Sequence, residues 1–323
     1  MKRLLLLYST FSYQSRRYIS GVQLRRDVEH WLSPPNPSTN HNTFWRARHQ
    51  GTAAWFFENE VFIRWKMTGS LLWIHGNRVS PSTAGVLPEL MRLSIAGSGK
   101  STLLYVVSST LSMCMGSLIY SPSSAIIENI RGKCAAGLAS MAYYYFDFHD
   151  VKKQDRYGLL SSLLFQLSAE SDAYQEVLSR LYVDKSGGIE KPTYSALLKS
   201  LKDMLSLPGH APIFIIVDAL DECPNFSERP SAREEVLELM EELVRLGLPG
   251  LHLCVASRPE IDIRMVLDPL THLQISLHDE TGQKRDINDY IKAVVHSDRR
   301  MQRWREEDRN LVVEKLSQNA DGA

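Results

Sequence analysis

The chain predicts an α/β fold: a mostly parallel sheet with helices on both faces, in three layers (α/β/α). Five short apolar runs, LLWIH, MAYYYFDF, APIFIIVD, LHLCVAS and HLQISL, lack the in–out alternation of a half-solvated strand, as expected for strands covered on both faces. Helical patterns separate them, which is the signature of crossover units. Residues with chemistry in reserve, VDALDE and ASRPE, follow directly on two of the runs. In an open parallel sheet that is the edge where ligands bind.

In chain order, Gln23 to Leu32 carries an apolar stripe (Leu24, Val28, Trp31, Leu32) and ends at SPPNPSTN, a loop by composition. Thr52 can cap a second helix with Trp55, Phe56, Phe62 and Trp65 at helical spacing, an arrangement that reads as core. Leu71 to His75 is a buried strand. SSAIIENIRGKC reads as a helix, MAYYYFDF as a strand, and RYGLLSSLLFQLS, AYQEVLSRLY and YSALLKSLKDMLSL as helices. Then come the strand APIFIIVD, the strongly amphipathic SAREEVLELMEELVRL, the strand LHLCVAS, the short helix EIDIRMVL and the strand HLQISL. DINDYIKAVV and MQRWREEDRNLVVEKLSQ close the chain as helices. No internal repeat of solenoid or propeller period is visible.

Composition bounds the function. The 323 residues hold 37 basic and 37 acidic side chains, so no global positive field argues for DNA, RNA or an anionic membrane as partner. The four cysteines (Cys114, Cys134, Cys223, Cys254) have no C-x-x-C pairing and read as reduced thiols, mostly core, in a cytoplasmic protein. The basic, serine-rich start is expected to be disordered or misassigned over 1–21, a mitochondrial presequence being the weaker alternative. No stretch matches a membrane span.

Three motifs carry chemistry. Gly97-Ser98-Gly99-Lys100-Ser101 is the end of a phosphate-binding loop (P-loop), in which backbone N–H groups at a helix start cradle phosphates. Lys100 would reach the β- and γ-phosphates, and the Ser101 hydroxyl would ligate Mg²⁺. Asp218, delivered by Phe214–Val217, is a candidate for the same Mg²⁺ shell, and Asp221 and Glu222 are candidates to orient or deprotonate an attacking water. Arg258, at the end of the neighbouring apolar run, can sense or neutralise a γ-phosphate.

The P-loop pattern G-x-x-x-x-G-K-[ST] requires a glycine at position 94, and the chain has serine there. The glycine that follows the strand is Gly76. These residues resemble the NACHT subgroup of STAND-class P-loop NTPases, and most closely the fungal branch with a nephrocystin-3-like N-terminal module. The resemblance runs through WLSPPNPSTNHN, HQGTAAWFFENEVFIRWK, SLLWIHG, AGSGKSTLL, VDALDEC, VASRPEIDI and HDETGQKRDINDYI. It implies that the strand feeds the loop directly. Omitting residues 78–95 gives SLLWIHGNAGSGKSTLL, which restores the full pattern through Gly76, Asn77, Ala96, Gly97, Ser98, Gly99, Lys100, Ser101 and Thr102. Omitting residues 105–122 gives GSGKSTLLSSAIIENI, one uninterrupted helix after the loop.

Each segment has 18 residues, a whole number of codons. Arg78-Val79-Ser80 can be written with GTGAGT inside it, and Tyr105-Val106 with GTATGT across it, both good splice donors. The expectation is two retained introns, with genuine insertions as the alternative, since loop closure tolerates added length.

The resemblance implies a helical lead-in over 22–69, a NACHT P-loop domain over 70–297 and a truncated C-terminal helix over 298–323. It further implies an ADP/ATP switch with Mg²⁺, slow hydrolysis and homo-oligomerisation in the ATP state. Full-length relatives are expected to add an N-terminal effector and a C-terminal repeat domain. The alternatives are a non-catalytic scaffold with a disrupted loop and, from another class, a nucleic-acid-dependent ATPase.

Overall fold

In the computed structural model, residues 23–47, 54–76, 122–226, 230–277, 281–297, 299 and 301–321 are described. The chain opens with helix α1 over 23–32 and α2 (Ser38–Ala47). The predicted loop is therefore shorter than its composition implies, because Asn36 Oδ1 accepts from the Ser38 amide and the helix starts there. Next come α3 (Ala54–Glu58), α4 (Glu60–Thr68) and β1 (Ser70–His75). One aromatic helix was predicted and two are found. The Asn59 side chain accepts from the amides of Val61 and Phe62, capping a new helix in mid-run. The expected cap Thr52 lies outside the described residues.

Helix α5 (Pro122–Ala135) precedes β2 (Ser140–Tyr145). Helices α6 (Arg156–Leu167), α7 (Asp172–Asp184) and α8 (Tyr194–Leu205) then lead to β3 (Ile213–Asp218). Helix α9 (Ala232–Arg245), β4 (Leu251–Ser257), α10 (Ile261–Leu267) and β5 (Gln274–Ser276) complete the sheet. The last pair is α11 (Thr281–Ser297) and α12 (Glu306–Asp321). The single predicted C-terminal helix is instead a 3-10 turn over Met301–Arg303 followed, after Trp304 and Arg305, by α12. Ile291 and Val295 of α11 pack with Met301, Val312, Val313 and Leu316 in a small core of their own.

All strand pairs are parallel, in the order β2-β3-β4-β1-β5, which bears out the predicted three-layer class. Period-2 geometry sends alternate residues to opposite faces. Ile213, Ile215, Val217, Leu251, Leu253 and Val255 join the larger core, with α1 and α6 to α10. Phe214, Ile216, Cys254 and Ala256 join the other, under α3, α4 and α5. The lead-in aromatics Phe56, Phe62 and Trp65 are core residues of this second face, as their spacing predicted.

A tight joint fixes the end of β2 to the start of α6. Asp155 caps α6 by accepting from the Gly158 amide at 2.7 Å. A Cβ at Gly158 would lie 2.2 Å from the Lys152 carbonyl oxygen and 2.9 Å from the Tyr144 hydroxyl. Alanine gains about 1 kcal/mol of helix propensity over glycine, but overpacking against backbone costs about 1–3 kcal/mol. Gly158→Ala is therefore expected to lower the thermal midpoint, read by circular dichroism; an unchanged or raised midpoint would contradict the packing described.

Candidate functional site at the C-terminal edge of the sheet

Parallel strands bring their C-terminal ends to one edge. Register places Tyr145 beside Asp218 and His75 beside Ser257, while Val217 faces Val255. Asp218, Arg258 and Gly76 consequently emerge along one line. Strand β4 separates β1 from β3. At its end Ser257 is buried, and its Oγ accepts from Trp73 Nε1 at 3.0 Å. Gly76 donates its amide to the Ser257 carbonyl at 3.4 Å, and a Cβ there would stand 3.1 Å from Leu277 Cβ.

After Asp218 the chain turns sharply. Asp218 Oδ1 accepts from the Ala219 amide at 2.9 Å. Ala219 takes the left-handed conformation (φ 55°, ψ 42°), which costs a non-glycine residue about 1–2 kcal/mol. Residues Leu220–Glu222 follow as one 3-10 turn, closed by the Glu222 amide on the Ala219 carbonyl at 2.8 Å. Leu220 is fully buried and anchors the turn.

The two acids of the turn have different surroundings. Asp221 is 9% exposed, and both its oxygens meet Arg258: Oδ1 accepts from the Arg258 amide at 3.0 Å, and Oδ2 lies 3.1 Å from Arg258 Nε. Arg258, 34% exposed, is thus held by its Nε edge. Glu222 is in a different state. Burial pushes its carboxyl above the usual carboxylate range, and Asp221, Asp147 and Asp218 add to the rise, while a hydrogen bond from the Phe148 backbone opposes it.

The sequence did not single out Arg233, in the first turn of α9. Its Nε donates to the Cys223 carbonyl at 2.9 Å and its NH2 to the Asp221 carbonyl at 2.5 Å. NH1 pairs with Glu260, and with Asp262 Oδ2 at 3.2 Å. Burial alone would lower its pKa, but the two carboxylates reverse the direction and hold it charged. Cys223 is buried within the same turn, where desolvation pushes its thiol up to about 12. Cys254 is also buried and Cys134 half-buried, in keeping with core thiols; Cys114 lies outside the described residues.

A second polar joint ties the lead-in to this edge. Asn40 accepts from the buried Lys153 ammonium at 2.6 Å and donates to Asp147 at 3.3 Å. Its neighbour His41 is buried between Glu128 (2.8 Å) and the Tyr145 hydroxyl (3.4 Å). Desolvation lowers the His41 pKa, and the Glu128 hydrogen bond opposes that.

The structure therefore brings together Gly76, Asp218, Asp221, Glu222 and Arg258. Asn77, Ala96, Gly97, Ser98, Gly99, Lys100, Ser101 and Thr102 lie outside the described residues, as do both 18-residue segments apart from Pro122. Among the described residues there is no cluster of His, Cys, Asp and Glu arranged to hold a metal unaided, and no helix long and apolar enough to cross a membrane.

A parallel α/β sheet with acids and an arginine gathered at its C-terminal edge fits an NTPase-like module. Residues 89–258 match the family described as Nephrocystin 3, N-terminal, and the chain belongs to that family. The match takes in Lys100, Asp218 and Arg258 and begins inside the segment 78–95, beyond Gly76. No curated protein matches the chain.

Proposed function

We propose that the chain is the nucleotide-binding regulatory module of a STAND-class switch of the fungal NACHT type, binding ATP or ADP with Mg²⁺ and hydrolysing ATP slowly. The observation that carries this reading is the junction of Asp221 with Arg258, which joins two separately legible motifs at the edge where β1 delivers Gly76. In this reading the phosphates lie on the loop residues Gly97 to Thr102, with Lys100 on the β- and γ-phosphates. Asp218 and Ser101 would hold Mg²⁺, which when bound offsets phosphate charge.

The roles of the two acids then separate. Glu222, whose surroundings favour its taking up a proton, orients and deprotonates the attacking water as its oxygen bonds to the γ-phosphorus. The bond from that phosphorus to the β,γ-bridging oxygen breaks, leaving ADP and inorganic phosphate. Arg258 neutralises charge growing on the transferred group. Asp221 acts through Arg258, aiming it, and is a positioning residue. Self-association in the ATP state belongs to the same proposal.

The test is Glu222→Gln in the loop-restored form (residues 78–95 and 105–122 omitted) with ATP and Mg²⁺. Loss of a general base is expected to slow turnover by about 10²–10⁴-fold with ATP binding retained, read by phosphate release and by titration. Turnover unchanged in the variant would remove Glu222 from the role. Absence of saturable ATP binding to the chain in its loop-restored form would remove the functional reading and favour a scaffold.

A further inference from the structure

We propose that Arg233 is the positioning residue that locks the acidic turn to the loop bearing Arg258, so that Glu222 and Arg258 keep one fixed relation. The role of the locked residues rests on the functional reading above; the lock itself does not. Arg233 sits in the first turn of α9, the positive end of the helix dipole, where a cation is disfavoured. It is also buried, with 7% of its side chain exposed. Helix formation does not call for a cation there, and its acceptors explain the placement.

Those acceptors come from two segments. The Asp221 and Cys223 carbonyls belong to the turn and flank Glu222 on either side. Glu260 and Asp262 follow Arg258 by two and four residues. One planar guanidinium thus grips the peptides around the candidate base with one edge and the arginine loop with the other. The planar fork of arginine can do this, whereas a lysine ammonium presents a single charged point. Two further contacts close the ring: Asn225 donates to Asp262 Oδ2 at 2.8 Å, and Ser231 Oγ donates to Asn225 Oδ1 at 2.9 Å. The Arg233 amide also donates to the Pro224 carbonyl at 3.0 Å. The lock holds Asp221 by its main chain, which leaves the Asp221 carboxylate to Arg258.

The experiment is peptide-resolved hydrogen exchange on the full chain without nucleotide, with Arg233→Met and Arg233→Lys beside the unaltered protein. Arg233→Met is expected to raise exchange about tenfold or more in 219–223 and 256–262, with β2 and α6 unchanged, as for a local opening. The Arg258 amide, which donates to Asp221, is the main reporter. Arg233→Lys keeps a cation for Glu260 but cannot span both carbonyls. It is expected to protect 258–262 while leaving 219–223 loosened. Unchanged protection of both segments in Arg233→Met would overturn the lock, and so would equal loss throughout β2 and α6, the mark of a merely structural residue. Should Arg233→Met fail to fold, the split pattern in Arg233→Lys decides. With ATP and the loop-restored form, kcat should fall while KM holds in both variants. An unaltered, loop-restored chain that binds no nucleotide would overturn the functional reading alone, and exchange would still decide the lock.

Discussion

Deleting residues 78–95 and 105–122 together is expected to turn weak or absent ATP binding into ordinary binding, a gain of about tenfold or more, equivalent to about 1.4 kcal/mol or more. A phosphate cradle works because a strand, a short glycine-rich turn and a helix start are held in fixed relation, so that several amides point at one anion. The first deletion returns Gly76 to its place in the pattern, at the end of a strand already pinned between β4 and β5. The second joins Leu104 to Ser123.

Helix α5 supports that junction. Its opening residues Pro122 to Ile127 are all buried, and among the described residues Ser123 Oγ has no hydrogen-bond partner. A helix start is normally met by water or a cap, so burial of the whole first turn is what an element continued on its N-terminal side would show. Titration of both forms with a fluorescent ATP analogue checks the expectation. Equal affinities would mean that the segments do not disturb the cradle. Reverse-transcribed message across the same codons tests their origin, and a product retaining both would count against introns.

Trp65→Ala is expected to cost about 3–5 kcal/mol of unfolding free energy, the range for removing a large buried aromatic. The indole is fully buried, with Phe62, Phe214 and His252 rings each at 5.7 Å centroid distance. Its Nε1 donates to the Ser70 carbonyl at 3.1 Å, so truncation leaves a cavity and removes a hydrogen bond at the start of β1. Urea unfolding followed by far-UV circular dichroism measures the cost. A loss under about 1 kcal/mol would mean that α4 is not part of the cooperative core.

The sheet was legible in the sequence because strands covered on both faces must be apolar at every position, and Phe214 to Val217 meet that demand. Asp218 and Arg258 were legible for the same reason, since each polar residue stands where an apolar run stops. Arg233 left no such mark. In SAREEVLELMEELVRL a charged residue in the first turn looks solvent-facing, and its four acceptors come from chain 10 to 29 residues away. Asn40, His41 and Lys153 were silent too, because their partners are up to 113 residues away. The break at Asn59 was written in the sequence as an N-cap residue before a glutamate, but the continuous aromatic spacing across it masked the signal. Asp221 and Glu222 look alike as neighbours, and tertiary packing alone gives one to Arg258 and buries the other against the Phe148 backbone.

Strand β4 lies between β1, which Gly76 follows, and β3, which ends in Asp218. At about 4.8 Å per strand step, the main chains of the outer pair are roughly 10 Å apart, a distance that a shared ligand and the side chains reaching it must cover together. Any molecule that engages both must span the gap like a bridge over a pier, with Ser257 and Arg258 beneath its middle. In the nucleotide reading proposed above, loss of one phosphate would remove one abutment while the other stays seated, and the pier would then carry an unbalanced load.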